Sequence, residues 1–343
     1  MATAKEARDW IKSGALKGIG DSLYTPFSGP DGENIDYDAY RQLVRYCVGA
    51  LKHDMLWLTS GVGEWWTLTL EEKKKLTEIA ITEARAINPD IVIQACPAGT
   101  GPADVLEQVL FAQEKGADIC YIQTPPMEVH AGEGVKRFFQ YIADRSDIAL
   151  GMFNSPSSGY VLTAREMAEI ANDIPAVVAV KEGEQDSITA TPALHAMCPD
   201  LAIWECDLIV YRAGWLQQGI VTGAQLGTVG YLYDTPDNMW YTKYFELIWN
   251  GEISEAIRYA DESGLDRYMG SVGLWYVQYP GRSDYFTHWG EAFKYGAHVV
   301  GLPIGDYMGS RPPQGVLPQE GKDQIRAGIT AAGMAGAATK YLS

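Results

Sequence analysis

The sequence lacks an excess of basic residues and lacks any long apolar run. Lys and Arg number 27 against 44 Asp and Glu, which gives a formal net charge of −17. Binding to a phosphate backbone needs a basic face, so this balance argues against a nucleic-acid partner. A run of about 18 apolar residues, enough for a membrane span, is also missing. We expect no nucleic-acid or membrane partner, but a locally positive site for a small anionic substrate is compatible with the charge.

Metal-binding, cofactor-binding and targeting patterns are missing as well. The five cysteines form no Cys-x-x-Cys pair and no cluster with zinc spacing. No phosphate loop, nucleophile elbow or dinucleotide fingerprint is present, and residues 1–17 contain no apolar signal segment. We therefore predict no metal, no cofactor and a cytoplasmic location. The cysteines expected as reduced core thiols are Cys47, Cys96, Cys120, Cys198 and Cys206.

Short β-rich runs alternate with amphipathic helical windows along much of the chain, which predicts an α/β fold with a parallel sheet. Eight strands over about 215 residues favour a closed (β/α)8 TIM barrel over an open sheet. We predict this barrel over residues 1–235 and a C-terminal helical extension, packed on the barrel, over residues 236–343. The predicted strands are Gly18–Phe27, Met55–Thr59, Ile91–Ala95, Ile119–Ile122, Ile148–Phe153, Val177–Val180, Leu201–Trp204 and Leu226–Gly230.

Two capping boxes predict where helices begin. Thr69 is followed three residues later by Glu72, and Thr163 is followed by Glu166. In such a pair the threonine hydroxyl and the glutamate carboxylate each accept a backbone N–H that the first helical turn leaves unpaired.

Lys181 is the strongest candidate for chemistry. It follows the apolar run Val177–Val180, and the carboxyl ends of barrel strands line the active site. Desolvation there favours a neutral, nucleophilic amine, which condenses with a ketone to form a Schiff base. The alternative is a lysine that extends from the barrel mouth or pairs with Glu182 or Glu184. Sequence position alone leaves both interpretations open.

Other candidates follow neighbouring strands. The turn from Ser60 to Glu64 has glycines whose exposed backbone N–H groups suit a carboxylate, although a plain strand-to-helix turn has the same pattern. Asn154 either orients a ligand through its amide or holds a loop. Trp65 and Trp66 either line a pocket or pack in the core.

Several short motifs occur in a fixed order between Gly18 and the C-terminal region. They are Thr25-Pro26-Phe27, Gly63-Glu64, Leu68-Thr69, Glu71-Glu72, Gly116-Ala117-Asp118, Asn154 with Pro156, Val180-Lys181-Glu182 and Gly309-Ser310-Arg311-Pro312-Pro313. In this set and order the chain resembles the dihydrodipicolinate synthase / N-acetylneuraminate lyase family of class I aldolases. The resemblance implies a (β/α)8 barrel with C-terminal helices, usually assembled as a homotetramer, and pyruvate or a pyruvate-derived 2-oxo acid as substrate.

The same resemblance assigns roles to residues. The family's Schiff-base lysine corresponds to Lys181, and its carboxylate-binding turn corresponds to Ser60, Gly61 and Val62. The predicted substrate-binding set also includes Trp66, Asn154 and Val229. The full set is Ser60, Gly61, Val62, Trp66, Asn154 and Val229.

The chain also departs from the family pattern. The family's turn carries two threonines where this chain has Gly61 and Val62. Its proton-relay tyrosine is replaced by Phe153, and its aromatic residue after Pro125 is missing. Another acid/base group must take over the relay, or the activity has changed. Tyr160 is the predicted catalytic donor, with Tyr121 as a second candidate; either tyrosine is otherwise a packed aromatic residue.

These observations predict a lyase that forms a Schiff base and makes or breaks a C–C bond in a pyruvate-derived 2-oxo acid. The tryptophan pair and the long C-terminal segment resemble the hydratase-aldolase branch, which implies an aromatic or bulky aldehyde as the second reactant. One alternative is a dehydratase or aldolase for keto-deoxy sugar acids. Another is a barrel that binds a small 2-oxo acid without turnover.

Overall fold

The computed structural model describes most of the chain and divides it into two compact units. The first comprises Met1–Ile19, Met55–Leu58 and Val92–Gly227, and the second comprises Gly20–Asp54, Thr59–Ile91 and Thr228–Ser343. The described residues are 3–125, 132–155, 160–182, 187–205, 218–224, 229–269, 289–312 and 317–342.

A parallel sheet forms the centre of the first unit. Its strands are neighbours in the same order as along the chain, as expected when each strand is followed by a crossover. Nearly all of their described residues are buried, which explains why they read as continuous apolar runs. These seven strands are Met55–Leu58, Val92–Ala95, Ile119–Gln123, Ala149–Asn154, Val177–Glu182, Ala202–Glu205 and Gly223–Ala224.

The sheet curls so that one of its faces becomes an interior. Phe153 pairs in register with Lys181, and Lys181 pairs with Trp204, so these three side chains share one face. The rings of Trp57 and Trp204 lie 5.9 Å apart on this face, although four other strands lie between the strands that carry them. The parallel α/β part of the fold prediction is therefore confirmed.

Large side chains fill the interior face. Trp57, Tyr121, Phe153 and Trp204 are each at most 5% exposed and belong to one apolar cluster. Small residues of the same cluster make room for these rings. They are Ala149, Ala179 and Ala202.

Helices of the first unit begin and end at residues with recognisable roles. Thr163 and Glu166 form the predicted capping box, Pro102 opens its helix, and Gly116 ends that helix with φ of 97°. These helices are Ala7–Lys12, Pro102–Lys115, Gly132–Ala143, Ala164–Asp173 and Ser187–Met197.

Helices and short strands make up the second unit. The Thr69–Glu72 capping box is confirmed at the start of the longest helix. The strands of the second unit are Gly20–Ser22 and those of two hairpins. The first hairpin pairs Phe27–Ser28 with Asn34–Ile35, and the second pairs Asp234–Thr235 with Asn238–Met239. Its α-helices are Tyr37–Arg45, Leu70–Ile87, Gly230–Tyr233, Trp240–Trp249, Ile253–Ser263, Trp289–Val300 and Gln319–Ala331; a π-helix spans Tyr46–Ala50, and 3₁₀ turns span Trp65–Thr67 and Thr339–Tyr341.

Two predicted strands differ from the structure. The predicted strand Gly18–Phe27 is two short strands, because the chain around Pro26 leaves the ladder. The predicted strand Leu226–Gly230 was wrong at its end: Gly230 begins a helix, and the strand paired with Ala202–Glu205 is Gly223–Ala224. Residues 226–228 lie outside the described residues.

The four described cysteines, Cys47, Cys96, Cys120 and Cys198, are free and buried as predicted, and Cys206 lies outside the described residues. Of the helices in the described ranges, none combines the length and apolar character needed to cross a membrane.

Candidate active site

Lys181 is buried on the interior face of the sheet. Its strand, Val177–Glu182, is buried along its whole length, and the lysine is 8% exposed. Its Nζ lies 4.2 Å from the centre of the Phe153 ring, and within the described residues it forms no ion pair. The interpretation of a lysine extended into solvent or paired with Glu182 is therefore wrong. Glu184 lies outside the described residues.

Phe153 stands where the family resemblance leads us to expect a tyrosine. The flat side of its ring is turned towards the lysine. Such a ring attracts a cation, but it has no hydroxyl that could donate or accept a proton. The proton relay that the resemblance implies is thus missing beside Lys181, and any relay has to come from another residue.

Asn154 holds a loop from the opposite face of the sheet. It is the register partner of Glu182, and its Nδ2 donates to the Glu182 carboxylate at 3.0 Å and to the Leu162 carbonyl at 2.9 Å. Its Oδ1 accepts from the Leu162 N–H at 2.8 Å. These bonds occupy both amide hydrogens, so loop-holding is the role the structure gives Asn154. Its assignment to the substrate stays a prediction.

Tyr160 is partly exposed, and its hydroxyl is engaged. The hydroxyl donates to Glu166 Oε1 at 2.8 Å, while its backbone N–H donates to the Thr124 hydroxyl. The hydrogen bond to Glu166, with a smaller contribution from burial, raises the pKa of Tyr160 above its usual 10. A phenol held this way is a weaker acid than free tyrosine, and the predicted catalytic role of Tyr160 remains untested.

The turn from Ser60 to Glu64 lies in the second unit and is braced on both sides. Ser60 shares a hydrogen bond between hydroxyls with Ser22, and Thr25 donates to the Gly63 carbonyl at 2.7 Å. The N–H of Glu64 donates to the Gly61 carbonyl at 3.0 Å, closing the turn.

The residue before the turn and the last residue of the turn adopt left-handed backbone conformations. Thr59 has φ of 51° and Glu64 has φ of 59°. Left-handed backbone is costly for a β-branched residue such as Thr59. Such strain concentrates where a loop must hold a particular shape, which is compatible with the predicted binding role.

The remaining predicted residues of the second unit differ in exposure. Trp65 and Trp66 are both partly exposed and pack edge to face at 6.0 Å, so neither is a core aromatic residue. Val229 is fully buried and forms an antiparallel bridge with Asp21. The strand Gly20–Ser22 thus brings Val229 and Ser60 together.

Sequence reasoning missed a buried ionic cluster next to this turn. Lys294 Nζ donates to Glu64 Oε1 at 2.6 Å and to the Gly309 carbonyl at 3.0 Å, and both charged side chains are fully buried. Glu291 lies one helical turn before Lys294 and is also fully buried. Burial, and then the charge of Glu64, raises the pKa of Glu291 to about 8 against the opposing charge of Lys294. The available signal was an acid and a base three residues apart in an otherwise apolar helix.

A second missed cluster centres on His53. Its Nδ1 lies 2.6 Å from Asp21 Oδ2, and its Nε2 lies 3.2 Å from Asp234 Oδ2. Burial by itself lowers the pKa of His53, but the two carboxylates outweigh that effect and raise it to about 10. At neutral pH the imidazole is therefore a cation that bridges two buried anions. The sequence showed only five scattered histidines.

These two clusters predict that stability falls as pH rises. Between pH 4.5 and about 8, Glu291 is protonated in the folded protein and ionised in the unfolded chain. Between pH 6.5 and about 10, His53 is protonated in the folded protein and neutral in the unfolded chain. Each contribution to the free energy of unfolding is fully present below the unfolded pKa and is lost as the pH rises to the folded pKa. The loss is on the order of 5 kcal/mol for each group. Urea unfolding at pH 5, 7 and 9 measures the slope.

Variants separate the two contributions. Glu291→Gln is expected to flatten the profile mainly below pH 7, and His53→Gln mainly above it. Since the readout is the slope and not the absolute stability, general destabilisation does not interfere. Profiles of both variants that run parallel to that of the wild type would contradict the assignment.

A curled parallel sheet with a buried lysine at the carboxyl end of one strand defines a class of lysine-bearing α/β proteins. Within that class the chain belongs to the dihydrodipicolinate synthetase family, whose model matches residues 15–260. The resemblance read from the sequence motifs is confirmed, and the family is one of enzymes.

Curated relatives of the chain are similar over part of their length. The 4-hydroxy-tetrahydrodipicolinate synthase of Fervidobacterium nodosum is 34% identical over 49% of this chain and 56% of that protein. The enzyme of the same name from Thermotoga neapolitana is 31% identical over 55% of this chain and 63% of that protein. The chain thus spans less than two thirds of the length of these relatives.

Solved structures match over nearly the whole chain at low identity. Dihydrodipicolinate synthase from Aquifex aeolicus has a TM-score of 0.74 at 19% identity and covers 93% of this chain and 99% of its own. A family member from E. coli K12 in complex with pyruvate has a TM-score of 0.76 at 17% identity, with the same coverage. At these identities the likeness shows the fold.

Proposed function

We propose that the protein is a Schiff-base-forming lyase, a class I aldolase or hydratase-aldolase that acts on a pyruvate-derived 2-oxo acid. The observation that carries this proposal is Lys181, a buried amine at the carboxyl end of a parallel strand with no ion-pair partner among the described residues. On the interior face of a parallel sheet, an apolar residue fills the same space as a lysine at a lower cost in desolvation free energy. Packing alone therefore gives no reason for a lysine at this position.

The chemistry follows from the amine. Lys181 Nζ adds to the 2-oxo carbon, two of its protons pass to the former carbonyl oxygen, and that oxygen leaves as water. The neutral imine takes up one proton and becomes an iminium, which withdraws electrons. As the hydroxyl on the fourth carbon of the substrate gives up its proton, the bond between the third and fourth carbons breaks and an aldehyde departs. In an arylidene-pyruvate, water first adds across the double bond between these carbons and supplies that hydroxyl. Protonation of the enamine and hydrolysis then return pyruvate and the lysine.

Binding roles complete the proposal. The backbone N–H groups of Ser60, Gly61 and Val62 bind the substrate carboxylate, as the family resemblance implies. Gly61 and Val62 replace hydroxyl-bearing residues, and Trp66 is partly exposed, so the second reactant is an aromatic or bulky aldehyde and not a polar sugar. Asn154 and Val229 support the site floor, and Tyr160 is the proposed donor.

The proposal extends to architecture. Residues 1–235 close into a (β/α)8 barrel, and residues 236–343 pack on it as a helical extension. Four copies associate into a cytoplasmic homotetramer. Size-exclusion chromatography with light scattering measures the assembly directly.

Reductive trapping tests the function. Borohydride added with pyruvate is expected to attach a pyruvyl group to Lys181, located by peptide mass spectrometry. A panel of arylidene-pyruvates and keto-deoxy sugar acids then identifies the product, with aldehyde released from the aryl substrates only. Release from the sugar acids instead would select the alternative dehydratase or aldolase. Trapping without turnover of any substrate would select the non-catalytic binder, and absence of trapping in folded protein would defeat the proposal.

A further inference from the structure

Four polar atoms lie buried on the interior face of the sheet without a hydrogen-bond partner among the described residues. We call them the interior polar group, and each residue that carries one is at most 1% exposed. The atoms are Trp57 Nε1, Gln94 Oε1, Tyr121 OH and Trp204 Nε1.

The residues of the interior polar group are neighbours. The Trp57 ring packs against Tyr121 at 4.3 Å and against Trp204 at 5.9 Å. Gln94 is the register partner of Trp57, and its Nε2 contacts Met55 Sδ at 3.4 Å, which leaves the carbonyl oxygen unused. The group therefore sits in one region of the interior and not at scattered points.

Burying four polar atoms without partners would remove a large part of a protein's marginal stability. Native proteins satisfy nearly all such atoms, with ordered water where protein groups do not reach. The group supplies two N–H donors, one carbonyl acceptor and one hydroxyl that acts as either. Water, with two protons and two lone pairs, complements that set. A cation would be repelled by the indole N–H groups, and an anion by the amide oxygen.

The group adjoins Lys181. Trp204 is the register partner of Lys181, and the Tyr121 ring fills the space above Gly151, where an added Cβ would meet the ring at 2.6 Å. Cys96 packs in the same apolar cluster as Tyr121 and Trp204. Tyr121 thus places a hydroxyl on the same face as the amine.

We propose that the interior polar group binds water beside Lys181, and that Tyr121 moves protons through this water to and from the reacting amine. For imine formation this pathway takes the place of the hydroxyl that Phe153 lacks, while Tyr160 remains the proposed donor for the step that breaks the C–C bond. Two protons leave the amine nitrogen as the imine forms, and both end on the departing water, so the relay carries protons without a net gain or loss. The proposed water site is argued from burial and geometry alone. The proposed proton relay also rests on the proposed function.

The first test detects the proposed water site and needs no measurement of enzyme activity. A crystal structure at high resolution is expected to show a water bonded to at least two atoms of the interior polar group. Tyr121→Phe is expected to lower the Tm by a few degrees. A similar loss is expected for Tyr268→Phe, because the Tyr268 hydroxyl donates to the Leu232 carbonyl. A site filled by protein atoms, or a Tm raised by Tyr121→Phe, would overturn the proposal.

The second test reads the relay. Tyr121→Phe is expected to slow borohydride trapping of pyruvate at Lys181 about tenfold or more and to shift its pH profile, with the pyruvate KM little changed. Tyr268→Phe is the matched control and keeps the wild-type rate. Trapping by Tyr121→Phe at the wild-type rate and pH profile would overturn the relay. If the wild-type protein forms no pyruvyl adduct but its crystal structure shows the water, the proposed function fails and the water site is retained.

Discussion

Replacing Lys181 by methionine is expected to abolish trapping with pyruvate and to lower turnover on the order of 10⁴-fold or more. The reason is that the amine is the only group proposed to form a covalent bond with the substrate, and its loss removes the electron sink. Methionine keeps the length and the apolar stem of the side chain, so the packing against Phe153 survives. Steady-state kinetics and mass spectrometry measure both effects.

Lys73 provides a matched control. It is 9% exposed, close to the 8% of Lys181, and its Nζ lies 5.1 Å from the Trp65 ring. Lys73→Met therefore removes a similarly buried lysine over an aromatic ring without touching the proposed chemistry, and it should retain trapping. Turnover by Lys181→Met within tenfold of wild type would refute Lys181 as the nucleophile.

Replacing Lys294 by methionine is expected to destabilise the protein by about 3–5 kcal/mol. The variant leaves Glu64 as a fully buried carboxylate beside Glu291, without the cation that now lies 2.6 Å away. Breaking one side of a buried ion pair costs much more than the intact pair contributes, because the remaining charge has lost both its partner and its water. Urea unfolding at pH 7 measures the change in the free energy of unfolding.

The double variant Glu64→Gln with Lys294→Met distinguishes this cause from lost packing. It removes both charges and should recover most of the stability that the single variant loses. Equal losses in the single and the double variant would show that packing of the lysine stem, and not an unpaired carboxylate, explains the effect.

Local sequence signals predicted the strands and helix starts well. Seven of the predicted strands overlap strands of the structure, and both capping boxes formed, because burial of apolar runs and satisfaction of first-turn N–H groups depend on neighbours along the chain. The prediction failed at Leu226–Gly230, where glycines leave little apolar pattern. The boundary near residue 235 and barrel closure remain predictions.

Candidate site residues were predictable to a lesser extent. Lys181 could be identified because it ends an apolar run, and its family could be identified from ordered motifs. The burial of Lys181 over Phe153, and the use of Asn154 to hold a loop from the other face, depend on strand register, which sequence position does not specify.

The sequence by itself determined the α/β pattern, the family and the one lysine that ends a buried strand. Tertiary structure alone decided which polar groups are buried together: His53 between two aspartates, Lys294 against Glu64, and the interior polar group beside Lys181. The physical reason is that charge and hydrogen-bond satisfaction are properties of pairs. The partners lie tens to hundreds of residues apart in the chain, and only folding brings His53 to 2.6 Å from Asp21 and Lys294 to 2.6 Å from Glu64.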